Sequence, residues 1–293
     1  MRIVRTFADC RSLVIRSTGL VPTLGFVHEG HLDLMSRCRR ENDLVISSLF
    51  VNPLQFNDPA DFDAYPRKFD RDAGLMEEAG VDVLFAPSLE EMYPTEPVTA
   101  VVVKGITEFM EGAHRPGHFE GVATVVTKLL AGIQPDRAYF GKKDAQQLTM
   151  VTRMVGDLSM PVEIVPCSTV READGLALSS RNVRLSDEAR RLAVGLSRGL
   201  FHAADLVALG ERDGAVIEQA VVDQLAGMSP EYVTLADRFS AETIARLDRP
   251  AFLAAALEVG GVRLIDNVWL EPDGSSDLGR CLEETSILHW EER

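Results

Sequence analysis

Two histidines three residues apart mark the stretch of this chain best suited to chemistry. His28 and His31 follow a short apolar segment broken by Pro22 and open a helix-like apolar pattern, with Gly25 and Gly30 loosening the turn. Such a strand–loop–helix turn presents backbone N–H groups to an anion. Two imidazoles beside it suggest a phosphate whose charge changes during a reaction. The turn therefore indicates phosphate chemistry.

The same histidine pair has two other interpretations. A pair in a loop is commonly only solvated, and paired histidines also bind zinc. No Glu or third His follows at the spacing of a metalloprotease helix, and all four cysteines stand singly, at Cys10, Cys38, Cys167 and Cys281. We therefore favour phosphate chemistry over metal ligation.

Composition restricts the class of protein. The chain has 293 residues, of which 46% are hydrophobic and 26% charged, enough for one large or two ordinary domains. A net charge of −15 argues against nucleic-acid partners and against an anionic membrane surface. No apolar run approaches the ~20 residues of a membrane helix, and charged residues interrupt the N-terminus where a signal peptide would be apolar. Scattered cysteines suit a reducing compartment, so we predict a cytoplasmic protein.

Strand-like and helix-like segments alternate along the first half of the chain. The predicted strands are at 20–21, 44–51, 81–85, 137–140 and 162–165, and the predicted helices at 32–40, 70–79, 119–133 and 145–155. This alternation predicts an α/β fold with a doubly wound parallel sheet. Ligands gather at the carboxyl ends of such strands, where three polar clusters follow strands: His28 with His31, Asn52 with Gln55, and Lys143 with Asp144.

A change of composition near residue 175 predicts a second domain. We place a first domain, which carries the phosphate-binding turn, at 1–175 and a smaller C-terminal α/β lid domain at 176–293. The latter has helices over 187–209 and 215–228, strands over 251–259 and 262–270, and a polar tail, 275–293, expected to be a surface appendage. Its opening loop carries Ser179, Ser180 and Arg181, which could close over a triphosphate. The alternative is a solvated interdomain linker.

Six motifs occur in order over residues 20–185. They are His28-x-Gly-His31, Val51-Asn-Pro-Leu-Gln-Phe56, Asp63-Ala-Tyr-Pro-Arg67, Arg115-Pro-Gly-His-Phe-Glu-Gly-Val122, Phe140-Gly-Lys-Lys-Asp144 with Gln146-Gln147, and Leu178-Ser-Ser-Arg-Asn182. Together they resemble the pantoate–β-alanine ligase family. A segment near the C-terminus, Arg263-Leu-Ile-Asp-Asn267, is similar to a family strand.

The resemblance implies a nucleotidyltransferase-superfamily enzyme with a Rossmann-like N-terminal domain. The reaction it implies joins (R)-pantoate to β-alanine in two steps. ATP and pantoate give pantoyl adenylate and pyrophosphate, and β-alanine then releases AMP. It also implies Mg²⁺ on the ATP phosphates, with no protein side chain assigned as a metal ligand. A homodimer through the N-terminal domain is implied too, with region 44–51 as a possible contributor.

The resemblance also implies roles for individual residues. The catalytic positions are His31, His28 and Lys143. The positions implied to bind pantoate and β-alanine are Gln55, Gln147, Asn52 and Arg115. The ATP positions are Leu24, Gly25, His28, Gly30, His31, Gly141, Lys142, Lys143, Asp144, Val170, Leu178, Ser179, Ser180 and Arg181. Apart from the resemblance, Asp70 and Asp72 are expected to cap and start their helix rather than to bind magnesium.

Three functions remain open from the sequence. The first is the ligase that forms pantothenate. The second is a related adenylate-forming ligase or nucleotidyltransferase that takes another hydroxy acid or amine. The third is a non-catalytic nucleotide-binding protein, which the presence of every charged catalytic position disfavours.

Overall fold

A six-stranded sheet forms from short apolar segments of the first half of the chain. Its order is β1-β4-β3-β2-β5-β6, and the pairs β1–β4, β4–β3, β3–β2 and β2–β5 run parallel. Leu20, Val21, Val45 and Ile46 are fully buried, as expected of strands covered on both faces. The strands are β1 (Arg2–Val4), β2 (Thr18–Thr23), β3 (Leu44–Leu49), β4 (Val83–Phe85), β5 (Arg137–Gly141) and β6 (Glu163–Cys167).

Helices connect these strands, as parallel pairing requires. The longest of them, His118–Ile133, is flanked by Gly117 and Gln134. Their φ angles of 82° and 60° are left-handed, so neither residue can continue the helix. The predicted doubly wound fold is confirmed. The helices are α1 (Phe7–Arg11), α2 (Glu29–Glu41), α3 (Pro59–Asp63), α4 (Phe69–Glu78), α5 (Leu89–Met92), α6 (Met110–His114), α7 (His118–Ile133) and α8 (Ala145–Asp157).

The structure is a computed structural model that describes residues 1–225 and 227–292. The chain divides into two compact units. Unit 1 is Met1–Val27, His31–Phe140 and Met150–Cys167, and unit 2 is His28–Gly30, Gly141–Thr149 and the chain from Ser168 onward. Two short segments, each leading into a helix, therefore group with unit 2 although they lie before Ser168 in the chain. A single cut in the chain does not produce this division. The domain boundary after residue 175 stays a prediction.

Unit 2 is built on an antiparallel sheet of order β11-β10-β9-β8, while β12 pairs in parallel with β7. Ser186 and Asp213 cap its two helices by accepting hydrogen bonds from helical N–H groups. The expected smaller C-terminal α/β domain is confirmed. The elements are β7 (Val170–Arg171), α9 (Asp187–Ala208), α10 (Gly214–Val222), β8 (Tyr232–Asp237), β9 (Ala251–Val259), β10 (Val262–Leu270), β11 (Ser276–Asp277) and β12 (Arg280–Cys281).

Two expectations for the C-terminal part are wrong. The helix expected over 215–228 ends at Val222, and Gly227 has a φ of 81°, which no helix accommodates; Ala226 lies outside the described residues. The tail is not an appendage, because it supplies β11 and β12 and buries Ser286 and Leu288 to 1% and 3% exposure. The polar composition of the tail gives no indication of the hydrogen bonds that the tail makes in the folded chain. Arg293 lies outside the described residues.

A buried ion pair joins β7 to β10 within unit 2. Arg171 Nη1 lies 2.6 Å from Asp266 Oδ2, and both side chains are at most 1% exposed. Three of the other guanidinium N–H groups donate to the backbone carbonyls of Gly175, Asn267 and Leu278. A buried charge is tolerated when it is paired and hydrogen-bonded in this way. In the part of the chain that the structure describes, no helix is both long and apolar enough to cross a membrane.

Candidate active site

The loop after β2, in unit 1, is fixed in a strained backbone conformation. Gly25 and Phe26 have φ angles of 96° and 51°, the second of which a side chain rarely adopts. Asp72 of α4 accepts hydrogen bonds from Phe26 N–H at 2.7 Å and Val27 N–H at 2.8 Å. Arg71 donates to the Val27 carbonyl at 2.9 Å, and its guanidinium lies 5.2 Å from the centre of the Phe26 ring. α4 therefore holds the backbone that leads to the first histidine.

This use of Asp72 corrects the sequence analysis. Asp70 and Asp72 both lie in the first turn of α4, but the cap position is Lys68, which makes no side-chain cap hydrogen bond. The Asp72 side chain is 1% exposed, and two loop amides stabilise its buried carboxylate. The expectation that Asp72 caps its own helix is wrong.

His28 directly precedes α2, and His31 lies in the first turn of that helix. In unit 2, the Gly30 N–H donates to His28 Nδ1 at 3.1 Å. A ring nitrogen that accepts a hydrogen bond carries no proton, so the neutral imidazole is protonated at Nε2. A Cβ at Gly30 would lie 2.9 Å from His28 Cε1, so glycine leaves room for the ring. His28 is thereby fixed as an Nε2–H donor.

A second polar cluster follows β3 in unit 1, where a 3-10 turn, Pro53–Gln55, begins after Asn52. Asn52 is fully buried, and its Nδ2 donates to Gln55 Oε1 and to the Gly121 carbonyl, both at 3.1 Å. Its Oδ1 accepts from the Tyr93 hydroxyl at 2.9 Å. Burial raises the pKa of Tyr93 to about 12, which keeps this hydroxyl a neutral donor. Asn52 therefore serves to position Gln55.

α7 packs directly on this turn. A Cβ at Gly121 would lie 2.2 Å from the Leu54 carbonyl oxygen, so the two backbones touch. His118 Nδ1 lies 2.8 Å from the Gln55 carbonyl, and its Nε2 lies 3.1 Å from Arg115 Nη1. Because an arginine nitrogen only donates, Nε2 accepts, and Nδ1 carries the proton given to Gln55. The Gln55 side chain and backbone are both held.

Lysine residues follow β5, and β10 holds their backbone within unit 2. Asn267 Nδ2 donates to the Lys143 carbonyl at 2.6 Å, and Trp269 Nε1 donates to the Lys142 carbonyl at 3.3 Å. Lys142 Nζ forms an ion pair with Asp277 Oδ2 at 2.7 Å and lies 5.2 Å from the Trp269 ring centre. No ion pair of Lys143 occurs among the described residues. The Lys142 ammonium is therefore bound within unit 2, so we expect Lys143 to be the lysine that contacts a ligand.

The remaining predicted site residues of this loop and of α8 are half-buried or exposed. Asp144 is exposed, Gly141 and Gln147 are half-buried, and Asp277 accepts a further hydrogen bond from Ser168 at 2.7 Å. Burial alone would raise the pKa of Asp277, but the hydrogen bonds from Lys142 and Ser168 outweigh it, and the net pKa is lowered. Asp277 therefore stays ionised beside Lys142.

The hydroxyl-rich loop of unit 2 forms a 3-10 turn, Ser180–Arg184. Ser179 caps the turn, accepting a hydrogen bond from the Arg181 N–H at 3.3 Å. The Leu178 N–H donates to the Val170 carbonyl at 3.0 Å, so the turn is anchored to β7. A structured turn replaces the solvated linker that the sequence left open.

A buried carboxylate, Glu172, holds the far end of this turn. It is 4% exposed and accepts a hydrogen bond from Asn182 Nδ2 at 2.8 Å. Arg190 of α9 binds it with two nitrogens, at 3.1 and 2.7 Å. Glu172 therefore connects the turn to α9 through charge-assisted hydrogen bonds.

Comparison with known proteins identifies this arrangement. The family model for pantoate-beta-alanine ligase matches residues 2–269. The pantothenate synthetase of Moorella thermoacetica is 49% identical over 280 residues, covering 92% of this chain and 99% of the relative. That of Acetivibrio thermocellus is 47% identical, covering 92% and 100%. The chain belongs to the pantoate–β-alanine ligase family. It is therefore an enzyme, and the family and activity expected from the resemblance are confirmed.

Solved structures agree with the fold of this ligase. The pantothenate synthetase of Thermus thermophilus is 47% identical, with a TM-score of 0.86 over 91% of this chain and 98% of that one. The pantoate-beta-alanine ligase of Francisella tularensis, solved with beta-gamma ATP and beta-alanine, is 33% identical, with a TM-score of 0.73 over 91% and 97%.

Within each unit of the ligase, several expected positions come together. Unit 1 brings Asn52 and Gln55 into one network, with Arg115 reaching it through His118; unit 2 carries Lys143 and the Ser179–Arg181 turn on separate loops. Leu24 is half-buried. The roles assigned to these residues stay predictions. Sequence reasoning gave Asp72 a different role and gave none to several other holding residues: Tyr93, His118, Glu172, Asn267 and Trp269. His118 and Asn267 stood inside quoted motifs, which was the available signal.

Proposed function

We propose that this ligase condenses (R)-pantoate with β-alanine at the expense of ATP, through pantoyl adenylate. A pantoate carboxylate oxygen attacks the α-phosphorus, and the bond to the β-phosphate breaks, releasing pyrophosphate. The β-alanine nitrogen then attacks the acyl carbon, the bond to AMP breaks, and the amine loses a proton. The family match over residues 2–269 carries this proposal, because it contains every residue given a role. The Francisella relative, solved with an ATP analogue and beta-alanine, supports both ligands.

His28, His31 and Lys143 act on the phosphates in this proposal. Attack on the α-phosphate builds negative charge on its oxygens, which fixed donors and cations stabilise. His28 suits this task because its Nδ1 is occupied by Gly30, leaving an Nε2–H donor. Lys143 suits it because its neighbour Lys142 already neutralises Asp277. The wider ATP site comprises Leu24, Gly25, Gly30, Gly141, Lys142, Asp144, Val170, Leu178, Ser179, Ser180 and Arg181.

Gln55, Gln147 and Arg115 are proposed to bind the organic substrates, and Asn52 contributes to substrate binding through its hold on Gln55. An amide can donate to a carboxylate and accept from a hydroxyl, the two groups of pantoate. The support is the buried network that holds Gln55 through Asn52 and Tyr93, since a fixed amide binds without further ordering. Arg115 supplies a cation next to that network.

Magnesium enters this proposal as part of the substrate. No group of three or more His, Cys, Asp or Glu side chains within the described ranges could hold a metal ion, so the residues present do not offer a resident site. ATP carries Mg²⁺ on its β- and γ-oxygens, where it assists pyrophosphate departure. We further propose a homodimer. A cytoplasmic location is proposed too, supported by four cysteines that form no disulfide.

Product analysis tests the function. We expect AMP and pyrophosphate in equal amounts, with pantoate and β-alanine both required for pantothenate. Omitting β-alanine should leave one enzyme-bound pantoyl adenylate per site, and EDTA should stop pyrophosphate release until Mg²⁺ is restored. ADP and phosphate as products would overturn the proposal in favour of an acyl-phosphate ligase. Turnover with another hydroxy acid in preference to pantoate would favour the related-ligase alternative.

A further inference from the structure

The C-terminal tail lies beyond the family match, which ends at residue 269, yet it is folded into unit 2. β12 pairs with β7, with the Arg280 N–H donating to the Thr169 carbonyl and the Leu282 N–H donating to the Arg171 carbonyl, both at 2.8 Å. A last 3-10 turn, Ile287–Glu292, follows. The tail therefore runs away from β12 in a defined direction, toward two carboxylates.

The first carboxylate is that of Glu29, the residue between His28 and Gly30. It accepts a hydrogen bond from the Ser286 hydroxyl at 2.7 Å and another from the Ile287 N–H at 2.6 Å. Ser286 is 1% exposed, and its hydroxyl oxygen also accepts from the Leu288 N–H at 3.2 Å. The tail thus binds the turn that sets the His28 ring.

The second carboxylate is that of Glu172. His289 Nε2 lies 3.0 Å from its Oε2, the oxygen opposite the one that accepts from Asn182. The 3-10 turn Ile287–Glu292 also lies against the 3-10 turn Ser180–Arg184. The tail therefore touches the support of the hydroxyl-rich turn as well as that of the histidine turn.

We propose that residues 283–289, the strap, hold two nucleotide-binding loops of unit 2 in their binding form. Ser286 and His289 are its positioning residues, acting through Glu29 and Glu172. Ser286 and His289 are three residues apart, yet they bind carboxylates, Glu29 and Glu172, that are 143 positions apart in the chain. A loop held in its bound form binds without the cost of ordering it, so loss of the strap reduces the fraction of enzyme competent for ATP. This inference rests on the proposed function, because it takes these loops as the ATP site.

Truncation after Leu282 tests the strap, since β12 remains intact. We expect the dissociation constant for a non-hydrolysable ATP analogue, measured calorimetrically with Mg²⁺, to rise about tenfold as the competent fraction falls. The KM for ATP should rise with it, while the KM for pantoate stays within about twofold. Ser286→Ala and His289→Ala should each show part of the effect. His289→Gln should restore binding, because its amide N–H can still donate to Glu172.

Glu284→Ala is the matched control, because Glu284 is exposed on the same segment and should leave ATP binding unchanged. Unchanged ATP affinity in the truncated enzyme, or an equal rise for ATP and pantoate, would overturn the proposal. If the truncated chain does not fold, Ser286→Ala and His289→Ala test the proposal through the same two quantities, the affinity for ATP and the KM for pantoate. Failure of the proposed function is distinguishable, because the parent enzyme itself would then make no AMP.

Discussion

At the scale of the residue, one backbone hydrogen bond determines what His28 can do. The Gly30 N–H occupies Nδ1, so Nε2 carries the proton of the neutral ring. In the proposed function, such a ring can donate to a phosphate oxygen without first taking a proton from solvent. Its partner in the motif, His31, lies in the first turn of α2.

The catalytic role of His31 is the first prediction. His31→Ala should slow adenylate formation by about two to four orders of magnitude, as expected when one stabiliser of transition-state charge is lost. Pyrophosphate release in a single turnover measures this step. The exposed His114→Ala is the control. Isolated pantoyl adenylate should be converted with a smaller loss, because that step develops less charge on phosphate. A folded His31→Ala enzyme that forms adenylate at the parental rate would contradict the assignment.

The buried amide network gives the second prediction. Gln55→Ala should raise the KM for pantoate more than that for ATP, since a lost hydrogen-bonding group in a dry site costs about 1–3 kcal/mol. Tyr93→Phe should show a smaller effect of the same kind, because it removes only the support of Asn52. Gln224→Ala, at an exposed glutamine, is the control. Equal changes for both substrates would show that Gln55 is structural.

Residue types that could do chemistry were predictable from the sequence, and the residues that hold them were not. The histidine, amide and lysine clusters each follow a strand, which is a local pattern. Asp72 meets Phe26 across 46 positions and Glu172 meets His289 across 117. No periodicity connects such positions, so their partnership appears only when the chain is folded.

At the scale of the element, the approach of α7 to the 3-10 turn depends on one glycine. Gly121→Ala should destabilise the ligase by about 1–3 kcal/mol, because the added Cβ meets backbone rather than a movable side chain. It should also raise the KM for pantoate. Gly74→Ala is the matched control, since nothing lies within 4 Å of a Cβ there, and it should stabilise α4 by about 0.5–1 kcal/mol. Urea unfolding measures the stability of both variants. A Gly121→Ala enzyme as stable as the parent would contradict the close contact between α7 and the 3-10 turn.

The Lys142–Asp277 pair predicts how unit 2 responds to acid. The pKa of Asp277 is lowered in the folded protein from an ordinary value of 3.8, so its contribution is present above that value and is lost as pH falls through the folded pKa. Asp277→Asn should therefore flatten the dependence of unfolding free energy on pH as the pH falls below about 4. Asp273→Asn, on an exposed carboxylate whose pKa is also lowered, shows how much any such carboxylate contributes. If the unfolding free energies of Asp277→Asn and of the parent depend on pH in the same way, the Lys142–Asp277 pair does not stabilise the fold.

Secondary structure was predictable where burial imposes a period. The five strands and four helices predicted for the parallel sheet lie within a few residues of their expected bounds, because buried strands and amphipathic helices leave plain apolar patterns. Strand β1 and the short helices α1, α3, α5 and α6 were not predicted. The end of α10 and the fold of the tail were not predictable either, and the tail is held by Glu29 and Glu172, which lie far away in the chain.

At the scale of the whole molecule, assembly is the fifth prediction. Sedimentation at micromolar concentration should give twice the single-chain mass of 32.2 kDa, as the proposed homodimer requires. Raising the salt concentration should favour the dimer, because two chains of net charge −15 repel each other and salt screens that repulsion. A mass near 32.2 kDa would contradict the dimer.

The buried Arg171–Asp266 pair also constrains when the enzyme can first work. Protein chains emerge N-terminus first, and their domains fold as units during synthesis. Arg171 finds its carboxylate and its last carbonyl acceptor only after Asp266 and Leu278 have been made. Until then a buried arginine would lack its partners, and the loops of unit 2 would lack their supporting strand. If the loops of unit 2 bind ATP as proposed, we expect a nascent chain to gain affinity for ATP only after Asp266 and Leu278 have been made.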